Sequence, residues 1–189
     1  MSYINPLENN YLNPYYFFTA TILKWQHLLE IDTHKNIIIS SLEYFNKSKK
    51  AIVSGFVIMP NHIHLLFMLN PDYPLASFKR DFLKFTAQKI KLNTIDNHPE
   101  MLKDFMSSQN DRQYQIWERR PLATKFYSQS LVKEKLDYIH LNPCRAKYNA
   151  VSIPSDYFYS SAKFYENRDS TFEFLLDYRN LQASYWSGW

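Results

Sequence analysis

Two apolar runs, Ala51 to Met59 and His62 to Leu69, stand on either side of a two-residue break, Pro60-Asn61. Proline and asparagine there are turn chemistry. Strands joined so tightly can only be antiparallel neighbours, so the chain must contain a β-hairpin and a sheet to hold it.

The rest of the chain arranges itself around that hairpin. The aromatic and β-branched run from Tyr15 to Leu23 reads as a strand. The segment Thr33 to Lys47 carries Ile37, Ile38, Leu42 and Phe45 near helical spacing, with Thr33 as a candidate cap. Ser77 to Leu92 is a basic amphipathic helix, with Phe78, Phe82, Phe85 and Ile90 on its apolar side. Asn93 to Gln113 is polar and poorly patterned and reads as a long loop. Tyr114 to Arg120 reads as a further short strand, and Ser130 to Leu141 as a helix stopped by Asn142-Pro143. This order predicts an α+β fold: a ferredoxin-like antiparallel sheet with helices packed on one face, in a single domain. No internal repeat and no long low-complexity segment is present. The expected division is an N-terminal extension over 1–14, a folded domain over 15–165 and a tail of unknown role over 166–189.

Composition excludes some classes and leaves others open. With 189 residues, one sizeable core is expected. A net charge of +4 permits an anionic partner without demanding one. The 15 tyrosines and 14 phenylalanines fit either functional enrichment or an AT-rich coding sequence. No stretch is long and apolar enough for a membrane span, and the N-terminus lacks a signal-peptide pattern. The single cysteine, Cys144, rules out an internal disulfide and fits a reducing cytoplasm. It is either a nucleophile or, more commonly at a helix end, a small packing residue.

In a strand, residues two apart share a face. His62 and His64 therefore point the same way, with Ile63 opposed, and two imidazoles so placed can ligate one cation. Imidazole suits zinc, manganese or iron, and magnesium accepts such a site when phosphate completes the shell. A lone His-x-His also arises by chance with a surface or packing role. Here the rings enter an otherwise apolar strand, where buried polar groups need partners.

On the Ser130–Leu141 helix, Val132, Leu136 and Ile139 form the core stripe and Tyr138 lies off it. Asn142 follows one turn later near the same face. A phenol attacks phosphorus if a metal polarises the phosphate, and the Asn142 carbonyl could be a third ligand. Fifteen tyrosines compete for the role, and an off-stripe tyrosine is commonly a half-buried packing residue.

Together these segments resemble a known family. Gly55-Phe56-Val57-Ile58-Met59-Pro60-Asn61-His62-Ile63-His64-Leu65-Leu66 resembles the signature of single-tyrosine HUH transposases. Leu136-Asp137-Tyr138-Ile139-His140-Leu141-Asn142-Pro143 resembles the helix that bears their nucleophile. Phe78 to Ala87 and Asp156 to Ala162 also match in order, and the REP-associated tyrosine transposases are the nearest branch. The resemblance runs from about Tyr15 to Tyr165. It implies a ferredoxin-like fold, a divalent metal (Mg2+ or Mn2+), and hairpin-containing single-stranded DNA (a REP-like or insertion-sequence end) cut through a 5′-phosphotyrosine intermediate and rejoined. It assigns His62, His64 and Asn142 to the metal and Tyr138 to the nucleophile. Insertion-sequence members often have glutamine where Asn142 stands. The resemblance favours a monomer over a helix-exchanged homodimer, and a bacterial, cytoplasmic, nucleoid-associated setting.

Candidate phosphate contacts are Lys79, Arg80 and Lys84 on the basic helix, the pair Arg119 and Arg120, and Arg145 and Lys147 after the tyrosine helix. Each could equally be a solvated cation. Two further readings stand beside the transposase. One is a domesticated or inactive DNA-binding module of the same fold. The other is an unrelated metal-dependent hydrolase, which would need a carboxylate ligand or base that no residue close to the histidines in sequence supplies.

Overall fold

The computed structural model describes residues 10–107 and 113–181. Strands β1 (Asn10–Thr21), β2 (Ala51–Met59), β3 (His62–Leu69) and β4 (Leu122–Ser128) alternate with helices α1 (Asp32–Lys47), α2 (Leu75–Asn97), α3 (Gln129–His140) and α4 (Ala162–Asn167). The strands form one sheet in the order β2-β3-β1-β4, every neighbour antiparallel. The succession β1, α1, β2, β3, α2, β4 in this spatial order is the ferredoxin-like arrangement.

The hairpin pairs Met59 with His62 across the Pro60-Asn61 turn and runs back to Ala51 opposite Leu69. Every residue of β2 and β3 is buried. Layers on both faces explain why these runs show no polar alternation. On one face α1 and α2 pack Ile38, Leu42, Phe45, Phe78 and Phe82 against Phe18, Ile63, Leu65 and Phe67. On the other, α3 packs Val132, Leu136 and Ile139 against Tyr15, Val57, Leu66 and Met68. The shared helical face is thus that of α1 and α2. Helix α3, leaving the edge strand β4, covers the opposite face.

A register slip between Val53 and Gly55 matters for α3. Ile52 and Val57 are five apart yet both face α3, because one inserted residue resets the alternation. Gly55, just past the slip, lies directly beneath the helix. A Cβ there would stand 2.6 Å from Leu136 Cδ1 and 3.4 Å from Leu66 Cβ. The missing side chain sets how closely α3 approaches the sheet.

Three expectations are corrected. Tyr114 to Arg120 is not a strand: it makes only isolated bridges, Ile22 with Trp117 and Met106 with Tyr114. Its apolar residues Ile116 and Trp117 are buried, so the pattern reported burial and not ladder pairing. The fourth strand is Leu122–Ser128, an edge strand paired only with β1 and mostly exposed. The expected loop from Asn93 begins inside α2, which continues to Asn97, and a 3-10 segment, Pro99–Phe105, follows. Thr94 holds that extension, donating to Ile90 O at 2.8 Å. Thr33 does not cap α1; it lies in the first turn and donates to Asn93 Oδ1 across to α2.

The chain after 165 is built into the fold. Leu175 bridges Val53, and the Leu176 amide donates to Val53 O at 3.0 Å. Ser160 bridges Val57 further along the same strand. These segments cover the outer edge of β2, which would otherwise offer unpaired backbone groups. Phe174 and Leu175 join one core, Tyr178 and Leu181 the other. Buried Asp177 anchors the segment through Arg168 and Arg179. Residues 1–9 of the expected N-terminal extension and 182–189 of the expected tail lie outside the described residues. No helix among the described residues is long and apolar enough to cross a membrane.

Candidate active site

Strand alternation places His62, His64, Leu66 and Met68 on the α3 face, and both imidazoles are nearly buried, 3% and 5% exposed. Their ring centres are 4.9 Å apart. Each ring is held at Nδ1. The Asn61 side chain donates through Nδ2 to Trp25 O, so its Oδ1 accepts from His62 Nδ1 at 2.7 Å. Thr19, directly across from His64 in the β1–β3 register, places Oγ1 2.8 Å from His64 Nδ1. With its Nδ1 proton given to Asn61, His62 keeps a lone pair on Nε2, as a metal ligand requires; His64 presents the same geometry when the Thr19 hydroxyl accepts from its Nδ1. Burial lowers the pKa of His62 to about 4; the Asn142 side chain opposes the shift and Lys147 adds to it. Burial, then His62 and Arg145, lowers that of His64 to about 3. Both rings are neutral at neutral pH.

Helix α3 brings the other two expected residues to the same place. It ends at Leu141, and Asn142 opens a 3-10 turn whose Pro143 cannot continue the helix. Asn142 is 2% exposed, and its Oδ1 has no hydrogen-bond partner. The Asn142 side chain faces His62, and with the His62 proton on Nδ1, given to Asn61, its Oδ1 is an acceptor without a donor, which costs about 1–3 kcal/mol. A cation bound by His62, His64 and this oxygen would remove that deficit, so the residues present fit a divalent metal. Among the described residues no cluster of three or more His, Cys, Asp or Glu exists; the donor set is two imidazoles and one amide oxygen. Tyr138, one turn before Asn142, sets its ring edge-on to His64 at 5.2 Å and to Phe17 at 5.7 Å.

The helix is pinned from below. His140 Nε2 lies 2.8 Å from Ser161 Oγ, which accepts from the Phe56 amide on β2 at 3.0 Å. This gives the Asp156 to Ala162 segment a physical task, since it ties α3 to the sheet. Burial, then neighbouring Asp156, raises the pKa of Cys144, which disfavours the thiolate that a nucleophile requires.

Residues not anticipated from sequence complete the rim. Tyr148 lies 5.4 Å from His62, and the exposed Trp25 lies 5.9 Å from it. Thr19, Asn61 and Phe17 form the inner support. Asn61 adjoins the histidine pair, but nothing in the sequence signals the pairing of Thr19 with His64 before the register is known. Of the expected cations, Arg145 stacks its guanidinium 4.0 Å over Tyr138 and Lys147 lies 5.0 Å over Trp25. Lys79, Arg80 and Lys84 sit on α2, the layer across the sheet from the histidines. Arg80 is also paired with Asp81. Arg119 and Arg120 are exposed just after Glu118, whose amide donates to Thr21 O, and Thr21 is the residue opposite His62. Lys84 and Arg119 line one open cleft of about 710 Å3. The structure therefore gathers Tyr138, His62, His64, Asn142, Arg145 and Lys147 into one site. It sets Arg119 and Arg120 at its end of the sheet; Lys84 shares a cleft with Arg119 but lies, with Lys79 and Arg80, in the layer across the sheet from the histidines.

No protein-family model matches the chain, and no curated protein matches it. Solved structures do. One is a REP-associated tyrosine transposase bound to a REP hairpin, with 20% sequence identity and a TM-score of 0.58, covering 93% of this chain and 89% of that one. A second, described as a transposase from Deinococcus radiodurans R1, is 16% identical with a TM-score of 0.43, covering 74% of this chain and 95% of that one. At such identity the first likeness speaks for architecture: this chain has the fold of a REP-associated tyrosine transposase.

Proposed function

We propose that this protein is a metal-dependent transposase that cuts and rejoins single-stranded DNA bearing a hairpin, acting as a monomer, with Tyr138 as nucleophile. The observation that carries the reading is Asn142. Its buried, unpartnered Oδ1 faces the neutral His62 imidazole, whose ring is 4.9 Å from that of His64, and it follows Tyr138 by one helical turn. A packing asparagine has no reason to be left so. Hairpin DNA as substrate draws on the similar structure, which was solved with a REP hairpin.

His62, His64 and Asn142 would hold Mg2+ or Mn2+, which would polarise the scissile phosphate and offset charge developing on it. Asn61 and Thr19 keep the two imidazoles oriented. The Tyr138 hydroxyl oxygen attacks phosphorus. The new Tyr–O–P bond forms as the bond to the 3′ oxygen breaks, and that oxygen leaves as a 3′ hydroxyl, with a proton passing from the phenol to the leaving side through solvent. The 5′-phosphotyrosine ester conserves the bond energy, so a later 3′ hydroxyl reverses the step and joins strands. Arg145 and Lys147, unpaired by any carboxylate among the described residues, would meet phosphate oxygens near the cut.

The test is a labelled hairpin oligonucleotide incubated with manganese and the protein, then resolved under denaturing conditions. Wild type should yield a covalent protein–DNA adduct; Tyr138→Phe should yield none. His62→Ala should lose the adduct while retaining most DNA binding. An adduct with Tyr138→Phe, or none with wild type, overturns the proposal.

A further inference from the structure

The segment between β1 and α1 carries two consecutive non-glycine residues in the left-handed region, Lys24 with φ 53° and Trp25 with φ 58°. A bulky aromatic in that region is rare and costly, and it persists only where its surroundings over-determine it. They do so here. The Leu23 amide donates to Ile116 O at 2.8 Å, the Lys24 amide to Glu118 Oε1 at 2.8 Å, and Asn61 Nδ2 to Trp25 O. This last bond comes from the side chain whose Oδ1 fixes His62. The strain is thus held by the same residue that orients the metal-site imidazole. Its result is an indole 52% exposed, on the rim 5.9 Å from His62 and with Lys147 over its ring at 5.0 Å. Burial does not explain this indole, since more than half of it faces solvent.

We infer that Trp25 is the platform on which an unpaired base next to the scissile phosphate stacks. The inference rests on the reading of the site as one that cuts single-stranded DNA. Every base has a face that stacks on an aromatic ring, so the contact fixes position without reading sequence. Lys147 meets the phosphate of the same nucleotide. The strained turn presents the ring at a fixed place relative to His62, so the stacked base sets which phosphate comes before Tyr138.

The test uses binding, which needs no cleavage. Full-length protein in chelator is titrated with a hairpin oligonucleotide carrying an unpaired flank, and with a series in which each flank position in turn is abasic. Indole emission of wild type minus that of Trp25→Phe isolates the Trp25 signal. That signal should be quenched by DNA, and one abasic position should abolish the quench. Trp25→Leu should weaken binding about tenfold, with Trp25→Phe intermediate, and the critical abasic oligonucleotide should bind wild type and Trp25→Leu alike. With Tyr138 still present, Trp25→Leu should also scatter the cut over neighbouring phosphates. A Trp25 signal indifferent to DNA overturns the inference even if Trp25→Leu fails to fold, because it is read on the intact indole. So does an equal loss for Trp25→Leu at every abasic position. Quenching without any adduct would uphold the platform and sink the nuclease reading, so the two failures are distinguishable.

Discussion

Lowering the pH from 7 to 5 should remove several kcal/mol of stability, because burial makes four histidines, His34, His62, His64 and His140, resist protonation in the fold. Burial brings the pKa of His62 to about 4, His64 to about 3 and His140 to about 4, against an ordinary 6.5. The folded values lie below the unfolded ones. Between them the unfolded chain binds protons that the folded chain does not, so stability is present above pH 6.5 and is lost as pH falls toward 4. At pH 5 each of His62, His64 and His140 favours the unfolded chain by about 2 kcal/mol, and at pH 7 by very little. Together the three remove about 5 kcal/mol, comparable with the whole stability of a marginal domain, about 5–15 kcal/mol. The rings of His62 and His64 are 4.9 Å apart, so protonating one makes protonating the other harder and keeps the loss growing below pH 4. Urea unfolding followed by circular dichroism in chelator, from pH 7 to 5, reads the effect directly. His140→Gln should lessen the pH dependence, having removed one of these groups. An unfolding free energy that changes by less than about 1 kcal/mol over this range would refute the reasoning about how these rings are buried.

Asn142→Leu should stabilise the metal-free protein by up to about 1 kcal/mol, since it deletes an unpaired buried oxygen at similar volume; calorimetry should show it losing divalent-metal affinity at the same time, and unchanged affinity would remove Asn142 from the ligand set. Gly55→Val should cost about 1–3 kcal/mol by overpacking against Leu136, which is only 4% exposed, and should depress adduct formation because α3 carries Tyr138; a thermal midpoint equal to wild type would mean that α3 does not rest on this position. Arg145→Ala with Lys147→Ala should reduce the slope of log binding constant against log salt by about 1.4. Replacing Lys79, Arg80 and Lys84 with alanine should change it less, because α2 lies across the sheet; the reverse ranking would place the DNA on the α2 face.

The hairpin was legible because its signal is redundant: two wholly apolar strands and a two-residue turn admit one arrangement. The shared face of His62 and His64 followed from alternation alone, since the slip in β2 lies at Ser54 and leaves β3 regular. The fourth strand was not legible, because an edge strand with exposed Leu122, Thr124 and Lys125 carries no apolar alternation. Helix α2 ran past its expected end because Thr94, polar by composition, is buried and bonded to the preceding turn. Thr19, Trp25 and Tyr148 reach the histidines only through strand register and the path of loops, which no local pattern encodes. The placement of the α2 cations relative to the histidines was not legible, because amphipathicity tells which side of a helix is wet, not which face of a sheet that helix covers.

Tyr148 lies almost as near His62 as Tyr138 lies to His64, 5.4 Å against 5.2 Å. The most direct test of the account is therefore the position of the covalent link. Adduct formed by the wild-type protein on a hairpin oligonucleotide, trimmed with nuclease and digested with protease, should yield one nucleotide-bearing peptide with the modification on Tyr138. A modification on Tyr148, or on any residue outside α3, would contradict the claim that α3 carries the nucleophile to the histidine pair.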